Sequence, residues 1–429
     1  MLHPSFYPPI MSRQQQGSLI VDLRTNPALG PLRPIPNVLV TIKEFNANGD
    51  GQTYAELLTN EVGQTPPVEL PAPPIEYSLD PLNRQMPYSN YTVETSNPDY
   101  VDVSILGSQV FANTASIQPI SLESTRTRAR QLIEAIIIGP PTLFGKYPPK
   151  IPEAEIKPIP PGSGFITLDN VIVPEFIIVH AGTPNDMNAP NYTVPYLDYI
   201  SNVASSEIYP TWPLETIKAN IIAIISFTLN RIFTEWYRNQ GKPFTITNST
   251  AFDHAFFYGR NVFDTITPIA AEVFNTFVKR PGVQQPLFTQ YCDGVQSQCP
   301  NWMTQWGSKS LGDQGYTAEA ILRNFYGNIE LQDAPKVEGI PESYPGQPLR
   351  LGDQGPNVRK IQEQLNRIST NYPLIPKVST DGKFGATTEE AVRTFQQIFH
   401  LSPDGIVGKK TWYKISAIYV AVTRIAELT

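Results

Sequence analysis

Leu349-Arg350-Leu351-Gly352-Asp353-Gln354-Gly355 opens the stretch that decides the C-terminal fold, and Asp381-Gly382-Lys383-Phe384-Gly385 opens its second copy. After the first copy comes 358–368, whose apolar residues Val358, Ile361, Leu365 and Ile368 recur at helical spacing. After the second comes 387–399, with Ala391, Val392, Phe395 and Phe399 on one face. A further turn, Asp404-Gly405-Ile406-Val407-Gly408, precedes Trp412. Each Asp-Gly turn leads into a helix, so an all-α module of three helices is expected over 345–429.

The chain has 429 residues, enough for two or three domains, since single cores stop growing near ~250 residues. Hydrophobic content of 41% suffices for globular cores, while charged residues reach only 17% and prolines number 43. That composition suits a sandwich with linkers better than a helical protein. A net charge of −7 argues against nucleic acid as the main partner. The charge is uneven: from position 345 onward there are 11 Lys and Arg against 7 Asp and Glu, so the C-terminal module is positive and the remainder acidic. No apolar run reaches the ~18 to 20 residues of a membrane span. The tail 1–17 carries Pro and Gln where a secretory peptide needs an unbroken apolar stretch. The two cysteines, Cys292 and Cys299, suit a short-loop disulfide, half a metal site or a pair of free thiols.

Over 18–122 short runs alternate apolar and polar residues, as in Leu19-Ile20-Val21-Asp22-Leu23 and Val101-Asp102-Val103-Ser104-Ile105, with turn residues between them. This predicts a small antiparallel β-sandwich. A polar junction follows, with Arg126, Arg128 and Arg130 at alternate positions before Gln131. Exposed, flexible strips of this kind concentrate proteolysis. The rest of 123–164 is Pro-rich and reads as a semi-rigid spacer. Helices are expected at 197–208 and 214–237 in an α+β, helix-rich region over 165–335, with Pro213 opening the second.

In the first of these helices Ile200, Val203, Ala204 and Glu207 share one face. Glu207 is thus an acid on an apolar stripe, where desolvation favours its neutral form and suits it to donate a proton. The alternative is a carboxylate that merely ends a helix in solvent.

The C-terminal repeats resemble the three-helix peptidoglycan-binding domain appended to cell-wall hydrolases, and the 18–122 pattern is similar to transthyretin-like sandwiches. Tyr196-Leu197-Asp198-Tyr199-Ile200, Ala204-Ser205-Ser206-Glu207-Ile208 and Trp212-Pro213-Leu214-Glu215-Thr216-Ile217-Lys218-Ala219 resemble the opening of the stage-II sporulation protein D catalytic domain. In the same order follow Asp253-His254 with Tyr258-Gly259, then Trp302-Met303-Thr304-Gln305-Trp306-Gly307-Ser308, then Ile321-Leu322-Arg323-Asn324-Phe325-Tyr326. The resemblance implies a lytic transglycosylase that needs no cofactor or metal, with Glu207 as its single acid and base. Asp253, His254, Tyr291 and Gln305 are expected to support the acid or the sugar, or to serve the core. His254 stands where that family has an amide, and the cysteine loop after Tyr291 is a second departure. Sugar contacts are expected at Trp212, Tyr258 and Trp306 and, in the C-terminal module, at Asp381, Phe384, Phe395 and Trp412; tryptophans placed like Trp212 and Trp306 are more often packing residues.

In whole-chain order the sequence resembles the spore cortex-lytic enzymes of anaerobic spore formers. That implies spore cortex peptidoglycan as substrate and storage in the spore as a proenzyme, made without a recognisable signal peptide. A germination protease would cut near Arg126 to Gln131. Two other classes stay open. A zinc-dependent N-acetylmuramoyl-L-alanine amidase would need ligands from His3, His180, His254 and His400, of which only His180 and His254 are plausibly placed. A non-enzymatic wall-binding protein would leave Glu207 idle.

Overall fold

The computed structural model describes residues 15–46, 51–125, 134–158, 167–338 and 344–423. The expected cleavage positions Arg126, Arg128, Arg130 and Gln131 lie outside the described residues.

The N-terminal strands are β1 (Gln15–Arg24), β2 (Leu39–Glu44), β3 (Thr53–Leu58), β4 (Val68–Ala72), β5 (Ser89–Ser96), β6 (Val103–Val110) and β7 (Ala115–Ser121). Alternation does what a half-buried strand requires: Leu19, Val21 and Leu23 of β1 are fully buried while their neighbours face outward. They meet Val40, Ile42, Val93 and Ile105 of the opposite sheet in one core. The first strand starts at Gln15, three residues before the expected boundary at 18, and it pairs parallel with β7 and antiparallel with β4.

Both sheets are completed by chain from beyond the Arg-dotted junction. Strand β8 (Glu134–Ile137) lies parallel to β6, from Val103 opposite Glu134 to Leu106 opposite Ile137. Val262–Phe263, from deep in the central region, adds antiparallel to β7. Residues 134–158 are therefore not a free linker. Of these, 139–158 form a strap fastened to the central region by Ile151 N donating to Ala251 O (2.7 Å) and Phe288 N donating to Glu155 O (2.9 Å).

The central region holds α1 (Tyr196–Glu207), α2 (Leu214–Phe233), α3 (Thr267–Val273), α4 (Gln305–Asp313) and α5 (Ala318–Tyr326). Helix α2 contacts the other four. It is apolar on all sides because it is surrounded: among the described residues it is the one helix long and apolar enough to cross a membrane, and 89% of that window is buried inside the protein. Pro213 sits at its N-cap rather than within the helix. The helix stops four residues short of expectation, where the Thr234 hydroxyl bonds the Asn230 carbonyl and Glu235 turns to φ 45°.

The C-terminal helices are α6 (Pro356–Ile368), α7 (Ala386–Ile398) and α8 (Lys409–Thr423). Gly382 and Gly405 take φ of 73° and 74°, conformations that a side chain resists. One buried glutamine clamps each turn. Gln362 donates to Asp381 Oδ1, Lys383 O and Thr388 Oγ1 and accepts from Gly382 N. Gln396 repeats the set on Asp404, Ile406, Thr411 and Gly405. The sequence repeat is thus a repeat of hydrogen-bonding chemistry. The module is also docked: Tyr413 packs edge-on to Phe274 at 4.7 Å, Leu32 N donates to Ala421 O, and Gln64 Nε2 donates to Ile398 O.

Substituting Gln396→Ala should strand the Gly405 amide and its turn partners in the interior, lowering unfolding stability by about 2 kcal/mol or more. Gln397→Ala, one residue on and exposed, is the control in the same denaturation series; equal loss from both would reject the clamp.

Candidate functional site

Glu207 is the last residue of α1 and is 2% exposed. Position matters twice: burial disfavours a charged carboxylate, and so does the negative end of a helix dipole. Two donors hold the group. Ala255 N reaches Oε1 at 2.7 Å, and the Tyr291 hydroxyl donates to Oε2. Burial pushes the carboxyl above the usual carboxylate range, and the nearby Lys150, the Tyr291 hydroxyl and the Ala255 amide oppose that rise without cancelling it. The desolvated acid reading of Glu207 is the one the geometry fits.

The expected helpers have distinct places. Gln305, at the start of α4, donates Nε2 to the backbone carbonyl of Glu207 at 2.9 Å, satisfying one of the carbonyls that a helix end leaves open. Tyr291 bonds the acid itself. Asp253 does not: its Oδ1 accepts from Arg231 Nε (2.7 Å), and its Oδ2 from the Tyr237 hydroxyl (2.6 Å) and from Thr247 N and Oγ1. Those bonds fix the 253–255 turn and so aim the Ala255 amide. His254 is fully buried, bonds the Tyr199 hydroxyl through Nδ1 at 2.9 Å, and lies parallel to the Tyr291 ring. Burial, with Lys150 and Arg231 nearby, drives its pKa well below the ordinary histidine value, so it is neutral. Its Nε2 has no hydrogen-bond partner.

Several residues expected to contact sugar have partners within the protein. Trp212 is 3% exposed and its Nε1 donates to Ser78 O at 2.9 Å; with Trp306 (4.9 Å) and Tyr209 it packs where the sandwich meets the central region. Tyr258 stacks on Tyr192 at 4.5 Å and lines a different cavity, with Asp198, Asn202, Arg24 and His400. Asp198 precedes Glu207 by nine residues, about half a turn out of phase on the helix. Phe384, Phe395 and Trp412 are at most 2% exposed and form the core of the C-terminal module. Asp381 is exposed and folds back onto its own turn, accepting from Lys383 N.

Cys292 and Cys299 are joined in a disulfide. It closes the loop between Tyr291 and Gln305, the two residues that grip Glu207 from one side. Asp293 caps the same loop, accepting from Val295 N and Ser297 N. Among the described residues no group of three or more His, Cys, Asp or Glu is placed to hold a metal; His180 stacks on Phe244 and bonds Asn191.

Missed from sequence were Arg231, Glu153 and Lys150. Arg231 left a signal, the lone charge in the second half of a mostly apolar helix. Glu153 and Lys150 left none, being two charges in a Pro-rich strip. Burial holds back the Glu153 carboxyl's ionisation, but the bidentate Arg231 guanidinium and Lys157 outweigh it and keep the pKa low.

Residues 354–415 match the family model described as a putative peptidoglycan binding domain. A curated relative, the N-acetylmuramoyl-L-alanine amidase CwlL of Bacillus licheniformis, is 27% identical over 149 residues, covering 35% of this chain and 39% of its own length. The chain therefore spans about two fifths of that relative. Among solved structures, a peptidoglycan-binding protein from Clostridioides difficile in complex with glutamine hydroxamate is 37% identical over 16% of this chain and 40% of its own, with a TM-score of 0.14. Catechol 1,2-dioxygenase from Acinetobacter sp. ADP1 is 14% identical over 30% of this chain and 60% of its own, with a TM-score of 0.17. Overlays that poor bear no argument about the architecture.

Because the folded carboxyl of Glu207 binds its proton more tightly than the unfolded value near 4.5, its stabilising contribution is full below that value and is lost as pH rises through the folded one. Glu207→Gln should therefore melt higher than wild type at pH 7, with the gap closing in acid. Melting curves across that range that stay parallel would show that the group is not held against its preferred ionisation.

Proposed function

We propose that this chain is a peptidoglycan-cleaving enzyme acting as a lytic transglycosylase, with Glu207 as its one acid–base group and the C-terminal module as its hold on the wall. The observation that carries the reading is the Glu207 carboxyl, buried at a helix end, favouring its proton, and gripped by the Tyr291 hydroxyl and the Ala255 amide. Protonated, Glu207 gives its proton to the glycosidic oxygen as the bond to the muramic acid C1 breaks. The carboxylate left behind takes the proton of the 6-hydroxyl, whose oxygen closes onto C1 as a 1,6-anhydro ring. The proton is returned and no water is consumed, so the water-activating carboxylate of an inverting glycosidase is not needed. In keeping with that, Asp253 and Glu153, the carboxylates of the adjoining wall, are taken up by Arg231 and its neighbours.

For the wall-binding part the support is the family match over 354–415 and the positive charge of the module. A second reading, amidase action on the stem peptide, is favoured by the name of the curated relative. A catalytic zinc is ordinarily held by three protein ligands around an open position, and among the described residues no three His, Cys, Asp or Glu are placed together to hold one.

The substrate in this proposal is spore cortex peptidoglycan, and the enzyme is stored in the spore until a germination protease cuts near Arg126 to Gln131. What supports storage in an inactive form is the burial of Glu207, with the strap against it and the sandwich seated on Trp212. Cutting there leaves β8 and Val262–Phe263 still paired in the sandwich sheets. Its effect is to turn an intramolecular contact into a bimolecular one, which loses its effective concentration.

Glu207→Gln keeps the shape of the side chain and removes its transferable proton. Lysis of purified cortex should fall ~10² to 10⁴-fold while wall retention persists, and wild-type digests should contain anhydro-muropeptides by mass. Free stem peptides instead would establish the amidase. For the proenzyme, protein nicked between 126 and 131 should elute from a sizing column as one species when concentrated and as two after dilution; co-elution at every dilution would contradict the account of release.

A further inference from the structure

Lys150 lies in the strip that reads as a spacer, yet its side chain reaches the residues around Glu207. It is partly buried, its Nζ donates to the Asp253 carbonyl, and it stands 4.9 Å from the centroid of the Tyr291 ring and 5.0 Å from that of Phe227. Tyr291 is the ring whose hydroxyl grips Glu207, so the ammonium and the carboxylate have that ring as a common neighbour. The backbone on both sides of Lys150 is pinned. Thr142 N donates to Ser206 O (2.9 Å), Ile151 N to Ala251 O (2.7 Å) and Glu153 N to Gln290 Oε1 (2.8 Å), and Pro148, Pro149 and Pro152 restrict the turns between. A lysine so anchored is a fixed charge and not a roaming surface cation.

We propose that Lys150 is the counter-charge of the Glu207 carboxylate, a positioning residue carried by the strap, so that 139–158 belongs to the catalytic unit that the sequence places at 165–335. The proposal rests on Glu207 being the acid–base group. The titratable groups facing Glu207 are Lys150 and Tyr147 from the strap, Tyr199 from α1 and Tyr291 from the strand before the disulfide loop, with His254, Asp253 and Arg231 behind them. Of these, Arg231 is already paired with Asp253 and Glu153, and His254 is neutral. Lys150 is left to balance the negative charge that the base step requires. Burial draws its own pKa down, and Glu207 and Asp253 oppose that fall without cancelling it.

The test uses the full-length chain and needs no substrate. Infrared difference spectra of each protein against its own Glu207→Gln counterpart isolate the Glu207 carboxyl band, which is then titrated. With Lys150→Met the midpoint should shift to higher pH, because the carboxylate has lost its cation, whereas Lys150→Arg should keep the wild-type midpoint. Lys150→Gln, which retains a donor to the Asp253 carbonyl, serves if the methionine variant fails to fold by thermal unfolding. A midpoint unchanged in the neutral variants, or shifted equally in Lys150→Arg, overturns the proposal. Absence of glycan cleavage by the wild type would instead sink the transglycosylase reading and leave the titration readable.

Discussion

Arg231 is the hinge on which the candidate site depends. Its guanidinium is wholly buried, binding Asp253 through Nε, Glu153 through both terminal nitrogens and the Phe252 carbonyl through Nη2. Placing such a charge inside a protein is tolerable only when nearly every donor is matched, and removing one partner from a network of this kind costs about 3–5 kcal/mol. Lys157 completes it, bonded to Glu153 and lying 3.6 Å from the centroid of Phe288, with its pKa lowered by burial to about 8. The result ties α2, the 252–255 turn and the strap into one rigid wall. Ala255 N and the Asp253 carbonyl, which serve Glu207 and Lys150, take their positions from that wall.

The same logic of borrowed parts governs the larger architecture. A sandwich with open edges would expose unpaired backbone, and here both sheets are extended by strands from later in the chain. The C-terminal module, which could have hung from a tether, shares hydrogen bonds with the N-terminal chain at Leu32 and Gln64 and an ion pair between Lys409 and Asp333. Asp22, Arg24, Asp198 and His400 meet where the three bodies come together. Domain boundaries drawn by composition cut across these exchanges, because composition reports what a segment is made of and not what it lies against.

Periodic features were legible in the sequence. The period-2 alternation of β1, the period-3.6 stripes of α6 and α7 and the Asp-Gly turns each encode local geometry, and local geometry follows from the backbone and the nearest side chains. Glu207 was legible as an acid on an apolar helix face for the same reason. Aromatic residues were legible as aromatics and not by role: Trp212, Phe384, Phe395 and Trp412 have the faces a sugar would want, but a buried face is worth more to the core than to a ligand.

By itself, then, the sequence determined the alternating strands of the sandwich, the helices α1, α2, α6 and α7, the repeat of the C-terminal module and the placing of an acid among apolar neighbours. Tertiary structure alone decided that Asp253 serves Arg231 and not the acid, that Tyr291 and Ala255 grip Glu207, that the cysteines close the loop between Tyr291 and Gln305, and that a proline-rich strip supplies Glu153 and Lys150. Apart from the cysteines, which are 7 positions apart, these pairings join residues from 22 to 103 positions apart. No spacing rule reaches that far, because what brings such groups together is the need to neutralise and hydrogen-bond each buried charge, a condition that only the assembled interior imposes.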